Sequence, residues 1–176
     1  MLTLYLLRHA KSSWDTPGLA DHERPLAPRG VRAARAMARF MERENIQIQQ
    51  VFCSSAARAR QTCDIALPDL APDPVVTHDL YMATPGEMLA LLQREAHRDS
   101  PVMLVGHNPG MESLAEFTSG TGPSELMDLL ARKFPTGALA EIQFDVESWA
   151  AVKPHSGTLR RFVRPKDLPE AASERL

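Results

Sequence analysis

The chain has 176 residues, 44% of them hydrophobic, with 20 basic and 22 acidic side chains and a formal net charge of -2. That length holds one well-packed core and is short for two ordinary domains. The balanced charge gives no support for a nucleic-acid-binding or membrane-surface protein, so an anion site must come from local placement of arginines. Cys53 and Cys63 fit no zinc or disulfide pattern and read as reduced thiols. No basic region precedes the first apolar run, and no apolar stretch approaches the ~20 residues needed to span a bilayer. A cytoplasmic protein is expected.

The first element is an apolar run, Leu2 to Leu7, that reads as a strand buried on both faces. It stops on Arg8 and His9. A polar segment follows, "KSSWDTPGLADHERPLAPRG", whose three prolines and two glycines read as a long ordered loop. Val31 to Glu44 reads as a helix, with Val31, Ala34, Met37, Ala38 and Met41 on one face. "QQVFCSS" is a second strand, and Ala56 to Leu67 a second helix stopped by Pro68. "PVVTHDLY" is a weaker strand, followed by a helix from Pro85 to His97. Val102 to Val105 is a third buried strand ending at Gly106-His107, and Pro109 opens a helix through about Phe117. "TSGTGPSE" reads as a break, then a short helix near Glu125 to Lys133, then two strands, "ALAEIQFD" and "GTLRRFVRP". The polar residues after Pro165 are expected to fray. Alternation of strands and helices predicts one α/β domain with a mostly parallel sheet covered by helices.

Three predicted strand ends carry related chemistry: Arg8-His9, Ser54-Ser55 with Arg58 one turn later, and Gly106-His107-Asn108. In a parallel sheet these ends share one edge, where ligands of open α/β sheets bind. Two imidazoles, two guanidiniums and two helix N-termini would then converge on an anion. Arginine suits a phosphoryl group, being planar, bidentate and always charged. A neutral imidazole can attack phosphorus and carry the phosphoryl group covalently. Gly106 is expected to let the backbone approach the ligand. Ser54 reads as a pocket-lining residue or, in preference, as a cap for the following helix, and His22, His78, His97 and His155 as surface or structural residues.

These motifs resemble a known family. "LLRHAKS" at 6–12 resembles the RHG/RHA signature of the histidine phosphatase superfamily, the phosphoglycerate-mutase-like proteins. "SSAARARQT" at 54–62 is similar to its S-x-x-x-R-A-x-Q-T segment, and "VGHNPG" at 105–110 to its second histidine motif. The resemblance is greatest to the short SixA-type phosphohistidine phosphatase branch, whose R-P-L segment is matched by "ERPLAPRG" at 23–30 and whose terminal region is matched by "FVRP".

The resemblance implies that His9 is the phosphate-accepting nucleophile, that Arg8 and Arg58 hold phosphoryl oxygens, that His107 completes the pocket and that Arg24 also binds phosphate. It implies a single-domain three-layer α/β/α sandwich over residues 1–165, without large helical insertions, followed by a polar tail at 166–176. It implies no metal and no organic cofactor. The substrate would be a phosphorylated protein, such as a histidine phosphotransfer domain, or a small phosphorylated molecule, with phosphate as product. Asp15, Asp21, Glu87 and Glu112 are candidates by location for the carboxylic acid that larger relatives use to protonate the leaving oxygen. A phosphohistidine substrate, with its weaker P–N bond, would need none. Two other readings stand beside this: a small-molecule phosphomonoesterase, and a phosphate-binding module with little turnover. A serine hydrolase or P-loop enzyme is excluded by the absence of G-x-S-x-G and GxxxxGK[ST].

Overall fold

The computed structural model describes residues 1–68, 71–97 and 100–169. In chain order the regular elements are β1 (Leu2–Arg8), α1 (Pro28–Arg43), β2 (Gln50–Ser54), α2 (Ala57–Ala66), β3 (Val75–Thr77), α3 (Pro85–Glu95), β4 (Val102–Gly106), α4 (Gly110–Thr118), β5 (Ser119–Thr121), α5 (Ser124–Arg132), β6 (Leu139–Phe144) and β7 (Gly157–Val163). The strands form one sheet in the order β3-β2-β4-β1-β6-β7-β5. β1 and β2 each pair parallel with β4, and β3 pairs parallel with β2. β6 runs antiparallel to both β1 and β7, and β5 is parallel to β7. Only β6 therefore opposes the rest, and the sheet is mostly parallel as expected.

The continuous apolar runs of β1 and β4 are explained by helices on both faces. Successive side chains of a strand point to opposite faces. Leu4, Leu6, Val102 and Leu104 enter one core with Leu92 of α3, Leu114 of α4 and Leu130 of α5. Tyr5, Leu7, Met103 and Val105 enter the other with Met37 and Met41 of α1 and Cys63 of α2. This is the three-layer sandwich. Leu6 is fully buried, and its truncation to alanine would cost about 2–5 kcal/mol.

Four local expectations change. Helix α1 begins at Pro28 rather than Val31, because proline fits a first helical position whose N–H has no partner anyway. The loop before it is correspondingly shorter and ordered, with a 3-10 turn at Asp21–Glu23 and an isolated bridge between Ser12 and Leu26. The predicted break at 118–125 contains β5, a three-residue edge strand that pairs through its backbone and so leaves no apolar pattern in the sequence. After Pro165 the chain makes a 3-10 turn and buries Leu168 in the α1–α2 core, so the expected fraying does not begin there. The rest of the tail, 170–176, lies outside the described residues.

Candidate active site

β2, β4 and β1 are parallel neighbours, so their carboxyl ends lie side by side. The sheet thus brings Arg8, His9, Ser54 and His107 together, and Arg58 joins them from the first turn of α2. His9, Arg24, Arg58 and His107 are all buried. The imidazoles of His9 and His107 lie 5.0 Å apart between ring centroids.

His9 is held in one tautomer. Its Nδ1 lies 2.7 Å from the carbonyl oxygen of Ala10, which can only accept. Nδ1 therefore carries the hydrogen, and Nε2 carries the lone pair. Burial, joined by the charges of Arg58, Arg8 and Arg24, lowers the His9 pKa to about 4, so the ring is neutral at physiological pH. Ala10, whose carbonyl fixes His9, is itself held through its own N–H. The Ala10 N–H donates to Thr62 Oγ1 at 2.9 Å, and the Thr62 hydroxyl donates to the Arg58 carbonyl at 2.7 Å. Gln61 Oε1 accepts from the Leu26 N–H at 2.7 Å and ties the loop before α1 to α2.

His107 Nε2 lies 2.7 Å from Ser54 Oγ, which also accepts from the Ala56 N–H at 3.3 Å. Ser54 thus lines the pocket. The cap position of α2 is Ala56, with no side-chain cap, so of the two readings of Ser54 the pocket-lining one holds and the preferred helix cap does not. Burial first, then the His9 and Arg58 charges, lowers the His107 pKa to about 3. Among the described residues, two buried nitrogens make no hydrogen bond: His107 Nδ1 and Arg8 Nε. Buried polar atoms are rarely left so. Arg8 is anchored through its other end, Nη1 donating to the Phe134 carbonyl at 2.8 Å.

Arg58 and Arg24 meet on Asp21. Arg58 donates to the Asp21 carbonyl and to Oδ2 at 3.0 Å, and Arg24 donates to Oδ1 at 2.9 Å. Arg24 also donates to the Ser13 carbonyl and Ser12 Oγ, and its guanidinium stacks on Trp14 at 3.2 Å from the ring centre. Three of its five N–H hydrogens are thereby used, and two remain. The Tyr81 hydroxyl donates to Asp21 Oδ2 at 2.7 Å, and with the two arginines it lowers the Asp21 pKa to about 2.

The structure sorts the four carboxyl candidates. Asp21 is ionised at any working pH and has no proton to give. Glu87 closes the capping box of α3 with Thr84. Asp15 is exposed in the loop, its N–H on Ser13 Oγ. Glu112 accepts from Asn108 Nδ2 at 2.7 Å and supports the Phe134 segment that holds Arg8. Gly106 does not serve ligand approach, since its open side faces Met111 Sδ at 3.4 Å. Gly30 meets a stricter demand, because a Cβ there would sit 2.1 Å from the Lys11 carbonyl oxygen.

Tyr81 was not singled out in the sequence. It follows β3, a fourth parallel strand whose end reaches the same edge, and that position was the available signal. Its ring stands edge-on to His107 at 5.5 Å and to His22 at 4.9 Å. Ser55 Oγ joins His22 Nε2 at 2.8 Å and His78 Nδ1 at 3.2 Å. His22 and His78 therefore stand at the rim of the site. Cys53 and Cys63 are free buried thiols, and their contact with each other pushes the Cys53 pKa upward.

Two parallel strand ends that juxtapose a tautomer-fixed neutral histidine with arginines and a second histidine define a class. The chain belongs to the histidine phosphatase superfamily (branch 1), whose sequence profile matches residues 4–119. Within it, the chain resembles SixA. A presumed phosphohistidine phosphatase SixA from Agrobacterium tumefaciens is 31% identical, with a TM-score of 0.76 over 93% of this chain and 98% of that one. A presumed SixA from Nakamurella multipartitia is 29% identical, with a TM-score of 0.80 over 93% and 95%. An uncharacterized protein of Mycobacterium tuberculosis is 34% identical over 163 residues, 91% of this chain and 100% of the relative. The fold is also that of a protein histidine phosphatase SixA solved with tungstate, at 24% identity and a TM-score of 0.73.

Proposed function

We propose that the protein is a metal-independent phosphatase that removes a phosphoryl group from protein phosphohistidine through a covalent intermediate on His9. The observation that carries this is the fixed tautomer: Nδ1–H on the Ala10 carbonyl leaves the Nε2 lone pair as the nucleophile. Nε2 attacks phosphorus, an N–P bond forms, and the bond to the leaving imidazole breaks with its electron pair. That nitrogen takes a proton from solvent. Water then attacks phosphorus, the electron pair returns to Nε2, and phosphate leaves with the proton balance closed by solvent. Arg8 Nε and His107 Nδ1, both buried without a partner among the described residues, are the donors proposed for the phosphoryl oxygens. Arg58 and the two spare N–H groups of Arg24 complete the set, oriented by Asp21.

Two observations support phosphohistidine over an alkyl phosphate. Of the four carboxyl candidates, Asp21 is held ionised, Glu87 is engaged in the capping box of α3, Asp15 is exposed in the loop and Glu112 is bonded through Oε2 to Asn108, and an alkoxide needs a proton donor more than an imidazole does. Trp14 and Met82, on loops at this edge, are 72% and 55% exposed, which suits contact with a macromolecule. The SixA-like neighbours agree with this reading.

The test is an assay with EDTA present, comparing wild type and His9→Ala on phosphohistidine, p-nitrophenyl phosphate and an alkyl phosphate. Turnover and an acid-labile phosphoryl-enzyme are expected in wild type and absent in the variant, with the alkyl ester slowest. Equal rates on the alkyl ester would defeat the phosphohistidine assignment. Retained turnover in His9→Ala would defeat the mechanism.

A further inference from the structure

A cleft of about 730 Å³ opens beside the site, between the start of α1, the end of α5 and the segment after β7. Six cationic side chains line it without a carboxylate partner among the described residues: Lys11, Arg29, Arg32, Arg132, Lys133 and Lys166. A seventh, Arg164, is paired with Asp167. No acidic residue among the described ones lines the cleft, although acidic residues outnumber basic ones in the chain as a whole. Apolar side chains also line it: Ala33, Leu129, Pro135 and Pro165.

The cleft adjoins the catalytic edge. β6 starts and β7 ends where β1 ends, since Leu139 pairs with both Leu7 and Val163. The cleft wall at Pro135–Thr136 leads into Gly137, whose N–H donates to the carbonyls of Arg8 and His9 at 3.1 and 3.0 Å. One step before that wall, the Phe134 carbonyl holds the Arg8 guanidinium. The same short segment borders both sites.

Like charges gathered without partners repel one another and do not stabilise a fold. Here they come from four separate segments of the chain, so helix amphipathicity alone does not explain them. We infer that the cleft is a docking groove for an acidic segment of the phosphoprotein substrate, lying beside its phosphohistidine. This rests on the protein-phosphohistidine reading above. The apolar part of the lining decides the occupant: a peptide offers apolar side chains between its carboxylates, whereas a polyphosphate chain presents only oxygens. Charges at such a rim steer encounter and tighten binding, and both effects fade with salt.

The test uses two synthetic phosphohistidine peptides of equal length, one with glutamate and leucine flanks and one with neutral flanks, together with p-nitrophenyl phosphate. Wild type is expected to prefer the acidic peptide about 10-fold in kcat/KM, expressed in KM and lost at high salt. The triple variant Arg29→Glu, Arg32→Glu, Arg132→Glu should lose that preference while hydrolysing p-nitrophenyl phosphate at the wild-type rate, which also reports its folding. Equal use of both peptides by wild type, or a preference surviving in the variant, overturns the groove and leaves the phosphatase reading intact. If wild type cleaves neither peptide, the phosphohistidine reading fails by itself. The groove is then judged by fluorescence anisotropy of the labelled, unphosphorylated acidic peptide. Binding that the triple variant loses supports the groove, and no binding overturns it. Tripolyphosphate that binds more tightly than the peptide also overturns it.

Discussion

The hydroxyl of Thr62 bridges the two halves of the site: it accepts from the Ala10 N–H at 2.9 Å and donates to the Arg58 carbonyl at 2.7 Å. The carbonyl of Ala10, on the other side of the same Cα, fixes the His9 tautomer, so a residue that touches no substrate helps set the direction of the nucleophile. Thr62→Val keeps the shape and deletes both bonds, leaving the buried Ala10 N–H unpaired at a cost of about 1–3 kcal/mol. We expect kcat to fall about 10-fold with KM nearly unchanged, and Thr62→Ser to restore it. A fall confined to thermal stability would reduce Thr62 to a packing role.

The buried histidines should titrate far below ordinary imidazoles. An NMR titration of the free protein is expected to give midpoints near pH 4 for His9 and near pH 3 for His107, because burial disfavours their charged forms. The nucleophile therefore stays neutral down to about pH 5. A midpoint near 6.5 for His9 would contradict the desolvated site.

The same lowering links stability to pH. Between about pH 6.5 and pH 4 the unfolded chain binds protons at these positions and the folded chain does not. Stability is thus fully present above pH 6.5 and falls on acidification, by up to about 1.4 kcal/mol per pH unit for each histidine. His107→Asn removes one of the two contributions. Its Tm should drop several degrees less than that of wild type between pH 6.5 and 4.5. Identical drops would mean that His107 is not desolvated in the folded protein.

Neither remaining carboxylate should behave as a proton donor. Asp21 is held ionised by Tyr81, Arg24 and Arg58, and Glu112 is a strut for Asn108 and Phe134. Glu112→Gln keeps an acceptor oxygen in place. With phosphohistidine as substrate we expect its kcat to stay within about threefold of wild type, against the roughly 10²–10⁴-fold loss that deleting a general acid brings. A loss of that size would make Glu112 the acid.

The layered fold and the histidine–arginine pairing were legible in the sequence because both rest on local signals. An apolar run ending in Arg8-His9 announces a buried strand and its functional end, and Gly106-His107 repeats the message. β5 was illegible because it pairs through backbone alone at a sheet edge. Tyr81 was missed because β3 is three residues long and its outer face is exposed, so the strand carries little hydrophobic pattern. For Ser54 the local signal favours a cap over the pocket, because capping is a local habit of serine, whereas its contact with His107 joins residues 53 apart.

The sequence by itself determined the strand ends, the helix faces and the identities of the groups that meet at the sheet edge, since periodicity and side-chain chemistry act over a few residues. Only the tertiary structure decided how those groups are held. Asp21 gathers Arg24, Arg58 and Tyr81, and four distant segments pool their cations in one cleft. Such contacts depend on strand order and loop closure, and pairwise distances between remote residues leave no trace in local pattern.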